Sequence, residues 1–183
     1  LEWLEINEYA PHTIALQQND LRRFIAWCDE RVIKRPHDVT LPLLESYKRH
    51  LHGYRKADGN PYRSATKNTI IWSLRGFFKW LARRNLILFN PASEFTPVKR
   101  ENRLPRCLTI KEVNDVLAQP DIGTPVGLRD RAMMEMFYSC GIRLSELVNT
   151  RIHCLDMEFS TLAVFLGKGR KDRVVPMGQR CIS

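Results

Sequence analysis

No stretch of the 183 residues approaches the roughly 18 uninterrupted apolar residues of a membrane span. The longest apolar clusters, such as Leu86-Ile87-Leu88-Phe89, are sized for a core. The N-terminus lacks a basic segment followed by an apolar one, so no signal peptide is read there. It also lacks Met, which places the expected true start upstream. The five cysteines (Cys28, Cys107, Cys140, Cys154, Cys181) form no C-x-x-C pair. Such an odd, scattered set points to reduced thiols in a cytoplasmic protein. No His/Cys/carboxylate cluster has metal-ligand spacing, so no metal site is read. The nucleotide phosphate loop G-x-x-x-x-G-K-[ST] is absent. So are internal repeats and low-complexity tracts. Tyrosine is confined to positions 9, 47, 54, 62 and 138.

The residues present are those of a folded chain: 44% hydrophobic and 27% charged, too apolar for disorder. The length suits one domain or two small ones. The net charge is +9, and it is concentrated. Residues Tyr47–Arg103 hold 13 basic and 3 acidic side chains, leaving the rest of the chain near neutral. A concentrated positive segment fits a polyanion, nucleic acid above all, because neutralised phosphates release counterions. A solvated basic surface kept for solubility is the plainer alternative.

Hydrophobic periodicity predicts a helix carrying Ile14, Leu21, Phe24, Ile25 and Cys28 on one face, with Thr13 as its cap. A second helix starts at Thr40, with Pro42 in its first turn and Leu44, Tyr47 and Leu51 as its stripe. After the turn-rich Asp58-Gly59-Asn60-Pro61, a third helix runs from about Ser64 to Arg84. Ile70, Leu74, Phe77, Phe78 and Leu81 share one of its faces; Asn68, Trp72, Arg75, Lys79 and Arg83 share the other. Trp72 is read more readily as packed in the bundle than as facing a ligand. Asn90-Pro91 reads as a cap and first-turn proline opening a short fourth helix. Residues 96–105 are charged, flanked by prolines and aperiodic, hence a linker.

Beyond it, Thr109 caps a helix to about Ala118, and another spans about Gly127–Ser139, with Gly141 to stop it and Tyr138 in its core. A short helix follows at Leu144–Asn149. Thr161–Leu166 and Arg173–Pro176 read as strands of a hairpin whose tip holds glycines and cations.

Two segments carry chemistry: Gly141-Ile142-Arg143-Leu144-Ser145-Glu146-Leu147 and Gly167-Lys168-Gly169-Arg170-Lys171-Asp172-Arg173. With Leu128-Arg129-Asp130-Arg131-Ala132 upstream and Val174-Val175-Pro176 downstream, they resemble the catalytic domain of tyrosine recombinases of the phage-integrase and Xer type. The helical bundle, basic linker, Leu-Pro and Thr-capped helix follow that family's order, so the resemblance covers nearly the whole chain. The fold it implies is an N-terminal all-α, four-helix SAM-like core-binding domain (1–95) and a linker (96–105). The start of an α+β catalytic domain follows (106–183), helices first and then a β-hairpin.

The resemblance implies that Arg143 is the first catalytic arginine, forking onto two oxygens of the scissile phosphate. It matches Glu146 to the acidic residue that orients neighbouring groups. It matches Lys168 to the general acid that protonates the leaving 5′ oxygen, its pKa lowered by crowding cations such as Arg170, Lys171 and Arg173. Taken alone, Arg143 reads sooner as a helix-end arginine in a surface ion pair, Glu146 nearly as readily as its i,i+3 partner, and the tip sooner as a solvated charge run. The family joins DNA through a 3′-phosphotyrosyl bond, without metal or other cofactor, as a dimer on each site and a synaptic tetramer.

Its His-x-x-Arg box and nucleophilic Tyr have no match after Lys168. His52-Gly53-Tyr54-Arg55 lies too early to be that box. The chain is therefore expected to be an inactive fragment. Its partner would be double-stranded DNA at a recombination site, with no membrane. Lys48, Arg49, Arg55, Lys67, Asn68, Arg75, Lys79, Arg83, Lys99, Arg100 and Arg103 would contact it, with Arg170, Lys171 and Arg173 of the hairpin. Most contacts would be to phosphate, with Asn68 and Arg75 nearest to base edges.

Overall fold

The computed structural model describes residues 2–99, 104–165 and 171–182. The chain divides into two compact units, residues 1–103 and 104–183.

The first unit is helical: α1 (Glu2–Ile6), α2 (Pro11–Asp29), α3 (Leu41–Gly53) and α4 (Ser64–Arg83). Pro11 opens α2, its fixed φ and missing N–H suiting a first turn. Thr13, expected as the cap, is thus already inside the helix. The buried stripe of α2 is Asp20, Phe24, Trp27 and Cys28. Ile25, expected on that stripe, is exposed; it lies about 100° around the helix from Phe24, and Trp27 fills the inner position. Thr40 has the extended backbone of an N-cap, but its side chain makes no capping bond.

Leu44, Tyr47 and Leu51 of α3 face Ile70, Ile71, Leu74, Phe78 and Leu81 of α4 in one core. Phe24 meets Tyr47 and Phe78 edge-on, at centroid distances of 5.0 and 6.1 Å. Such pairs add about 0.5–1.5 kcal/mol each beyond area burial. The Ser73 hydroxyl donates to Asp20 Oδ2 at 2.7 Å, joining α2 to α4 through a buried polar bond.

Among the described residues the helical unit has four α-helices, but not the four expected. Asn90 does turn the chain, its Oδ1 accepting from the Ala92 N–H at 3.0 Å. The residues after it form turns rather than a helix, and the additional helix is α1, ahead of α2.

The second unit contains α5 (Ile110–Leu117), α6 (Pro125–Cys140) and α7 (Leu144–Val148). Strands β1 (Leu155–Asp156), β2 (Thr161–Val164) and β3 (Arg173–Pro176) follow, then α8 (Gln179–Ile182). Thr109 and Glu112 form a reciprocal capping box at α5. Thr124 caps α6 by accepting from the Gly127 N–H at 3.0 Å. Only glycine fits at 127, since a Cβ there would lie 1.9 Å from the Asp121 carbonyl oxygen. Gly141 ends α6 in the left-handed region, φ 59°.

The sheet is antiparallel in the order β1-β2-β3, with three strands among the described residues where two were expected. β1 spans two residues, too few to show a period. Leu162 and Val164 of β2 point into a core with Ile142, Leu147, Cys154 and Met177. Tyr138, expected in the core, is exposed instead; the buried residues of α6 are Gly127 and Glu135.

Candidate active site and nucleic-acid interface

Gly141 releases the chain from α6 so that Arg143 becomes the N-cap of α7 and Glu146 its third residue. This spacing folds the carboxylate back onto the helix start. Glu146 Oε2 accepts from the Arg143 N–H at 2.8 Å, and Oε1 accepts from Arg143 Nη1 at 2.8 Å. From β3, Arg173 donates through Nη1 to Oε1 at 3.0 Å and through Nη2 to Oε2 at 2.7 Å. Two guanidiniums thus clasp one carboxylate. Its side chain is 5% exposed, whereas that of Arg143 is 54% exposed. The Arg173 hydrogen bonds first, then the Arg143 N–H, hold the Glu146 carboxyl well below the usual carboxylate range. The pair raises Arg173 in return. Arg143 therefore presents a charged, accessible and oriented fork at a helix start, suited to a phosphate.

A second ion cluster was not foreseen. Glu135 of α6 is buried and accepts from Arg131 Nε at 3.0 Å and Arg180 Nη2 at 3.4 Å. Arg131 and Glu135 are four apart on one helix, a spacing visible in the sequence; Arg180 arrives from α8.

Arg173, expected among the DNA-binding residues and the cations crowding Lys168, is paired with Glu146 in this structure. Lys171 is exposed. Lys168, Arg170, Arg100 and Arg103 lie outside the described residues.

In the helical unit the expected DNA-facing residues separate into two groups. Lys48, Asn68 and Arg75 converge on the backbone of residues 95–98. Lys48 Nζ donates to the Thr96 carbonyl at 2.9 Å, and Arg75 Nη1 to the Phe95 carbonyl at 2.8 Å. Asn68 donates to the Val98 carbonyl at 2.9 Å and accepts from the Val98 N–H at 2.7 Å. Asn68 and its neighbour Lys67 are buried, so the open polar face expected for Asn68 is corrected. The amide is used to seat a chain segment 30 residues away. Residues 96–98, read as the start of the linker, are thereby held on the helical unit.

Arg49, Arg55, Lys79, Arg83 and Lys99 are exposed. Arg55 turns onto the carbonyls of His52, Gly53 and Tyr54. The other four make no side-chain hydrogen bond or ion pair among the described residues. Trp72, expected inside the bundle, is 57% exposed. The Arg75 guanidinium lies over its ring at 5.1 Å. The ring borders a shallow groove with Ala65, Thr69 and Pro97. An exposed indole beside a guanidinium is a surface for stacking on sugar or base.

Two family descriptions match the chain. Residues 1–85 match the phage integrase N-terminal SAM-like domain, and residues 106–183 match the phage integrase family. Tyrosine recombinase XerC 2 of Ralstonia nicotianae is 45% identical over the whole chain, which covers 53% of that protein. Tyrosine recombinase XerD of Pseudomonas aeruginosa is 34% identical over 98% of the chain, covering 57% of that protein. The chain thus spans about half the length of the curated relatives it matches. Among solved structures, the Tn1549 transposon integrase in complex with transposon right end DNA superposes with a TM-score of 0.73. The identity is 19%, over 99% of this chain and 60% of that one. A lambda integrase dimer bound to a core site gives 0.69 at 17% identity, over 100% and 62%. These last two are alike in fold. The two matched stretches follow the division into a helical unit and a sheet-bearing unit, and the chain belongs to the phage integrase family of tyrosine recombinases.

Proposed function

We propose that the chain is the core-binding domain and the leading part of the catalytic domain of a site-specific recombinase. The parent cuts and rejoins duplex DNA through a 3′-phosphotyrosyl bond, working in the cytoplasm as a dimer on each site and a tetramer at synapsis. The observation that carries this reading is the accessible Arg143 fork, oriented by Glu146 at the start of α7. A guanidinium so placed binds two non-bridging oxygens of one phosphodiester and stabilises the charge that grows as it becomes pentacoordinate. Lys168 supplies the proton for the leaving 5′ oxygen. Arg49, Lys79, Arg83 and Lys99 grip neighbouring phosphates, and Trp72 packs on the sugar edge.

No Tyr follows Arg143 within these 183 residues. On this reading the 183 residues bind duplex DNA but form no covalent adduct alone. A nicked suicide substrate tests both halves. Salt-dependent binding without a phosphotyrosyl adduct supports the reading. An adduct from this chain, or no duplex binding at all, refutes it. A second reading is a DNA-binding protein that does not cut, which would share the helical unit and its concentrated positive charge. The coding sequence downstream of Ser183 separates the two: a His-x-x-Arg box followed by a Tyr identifies the enzyme.

A further inference from the structure

Arg173 is only part-exposed, its side chain 35% accessible. In β3 it pairs across the ladder with Val164, and Val175, two residues on, pairs with Leu162. Residues two apart share a face of a strand. Arg173 therefore rises from the same side of the sheet as Leu162 and Val164, the side that packs the core of this unit. A charge on that side needs a partner of opposite sign, and α7 supplies it. The fork of Arg173 meets both oxygens of Glu146, at 3.0 and 2.7 Å. A two-point fork of this kind fixes the direction of a carboxylate as well as its place. The same carboxylate receives the N–H and Nη1 of Arg143. Among the described residues, these two arginines are the cations hydrogen-bonded to Glu146.

We propose that Arg173 is a positioning residue. Through Glu146 it sets the fork of Arg143 at the start of α7 and locks the base of the β2–β3 hairpin to that helix, and it makes no phosphate contact of its own. The inference rests on reading Arg143 as the phosphate ligand. It extends that reading, because Arg143 is then tied by one ion pair to β3, the strand that follows Lys168 in the sequence. Lysine cannot replace Arg173, since an ammonium has no planar fork to hold both oxygens.

The test is by NMR on the 183-residue chain, following the backbone amide of Arg143, the guanidinium groups and the Glu146 carboxyl carbon. In Arg173→Gln the Arg143 amide is expected to move toward its position in Glu146→Gln. It should also exchange about tenfold faster, the equivalent of one lost hydrogen bond, while the amides of Leu162 and Val164 stay put. The Glu146 carboxyl should stay ionised at pH 4 in the wild type and titrate higher in the variant, where the Arg143 bonds alone still hold it down. Arg173→Lys should fall between the two, and serves alone if the glutamine variant does not fold. Adding a duplex oligonucleotide should shift the Arg143 side-chain resonances and leave those of Arg173 in place. An Arg143 amide indifferent to both Arg173 variants overturns the proposal, as does Arg173 leaving Glu146 on addition of duplex. If the wild type binds no duplex, the function proposed above fails, and the Arg143 and Glu146 resonances still decide the role of Arg173.

Discussion

Asn68 and Val98 exchange two hydrogen bonds: the side-chain amide of Asn68 gives one proton to the Val98 carbonyl and takes one from the Val98 N–H. A side chain in mid-helix thus imitates a β-bridge to a distant segment. Asn68→Ala removes both bonds and leaves the backbone of Val98 to water or to nothing. The expected cost is about 1–3 kcal/mol in the stability of the helical unit, read from urea unfolding followed by tryptophan fluorescence. Asn68→Asp keeps one acceptor and loses the donor, so it should cost nearly as much. A variant that unfolds like the wild type would release Asn68 from this role.

Lys48 and Lys79 should part company in DNA binding. Lys79 is exposed, and Lys79→Gln should lower the slope of log affinity against log salt by roughly 0.9, one phosphate contact. Lys48 spends its charge on the Thr96 carbonyl and the Glu45 carboxylate, so Lys48→Gln should leave the slope closer to the wild-type value and loosen residues 95–98. Fluorescence anisotropy over a salt series checks both. Equal slopes for the two variants would contradict the division.

Asp20 is the group to watch in pH dependence. Burial raises its pKa above the ordinary 3.8, against the lowering effect of the Ser73 hydrogen bond and Arg23. A carboxyl with a raised folded pKa binds its proton more tightly in the fold than in the unfolded chain. Its contribution is therefore most favourable below about 3.8, where both states are protonated, and declines as pH rises through the folded value. Asp20→Asn keeps an acceptor for Ser73 and removes that decline. Relative to the wild type, the variant should gain stability between about pH 4 and about pH 7.5, measured by denaturant midpoints at both. A pH-independent difference would mean that Asp20 does not titrate in this window.

The thiols should react in a fixed order. Cys107 is exposed. Cys28 is buried, and burial lifts its thiol to about 11, leaving about one part in a thousand as thiolate at pH 8. Ellman's reagent should label Cys107 first and reach Cys28 only when the helical unit opens. Early labelling of Cys28 would show that α2 frays within the folded chain.

Elements written in local pattern are legible in the amino-acid sequence itself. Ser64 to Arg83 has a continuous apolar stripe, and Thr109 and Gly141 are punctuation that acts on near neighbours. What escapes such reading is decided at a distance. Thr13 is a sound cap taken alone, and Pro11 overrides it by starting the turn two residues earlier. Asn68 is polar on a helix, which reads as solvent-facing until a segment 30 residues on claims its amide. Tyr138 falls among apolar residues of α6, whose most buried side chain is a charged glutamate answered by Arg131 and Arg180. At the candidate site, Arg143 and Glu146 are legible because they are three apart. The third member, Arg173, is visible as a residue but not in its role, which depends on the phase of β3 against β2.

The clasp around Glu146 also limits what that carboxylate does. Held ionised far into acid, it carries no proton to give anywhere near neutral pH, and a proton placed on it would break the bonds that hold it. On the proposed reading, Glu146 is thus a fixed counter-charge, and the proton for the leaving oxygen comes from another group.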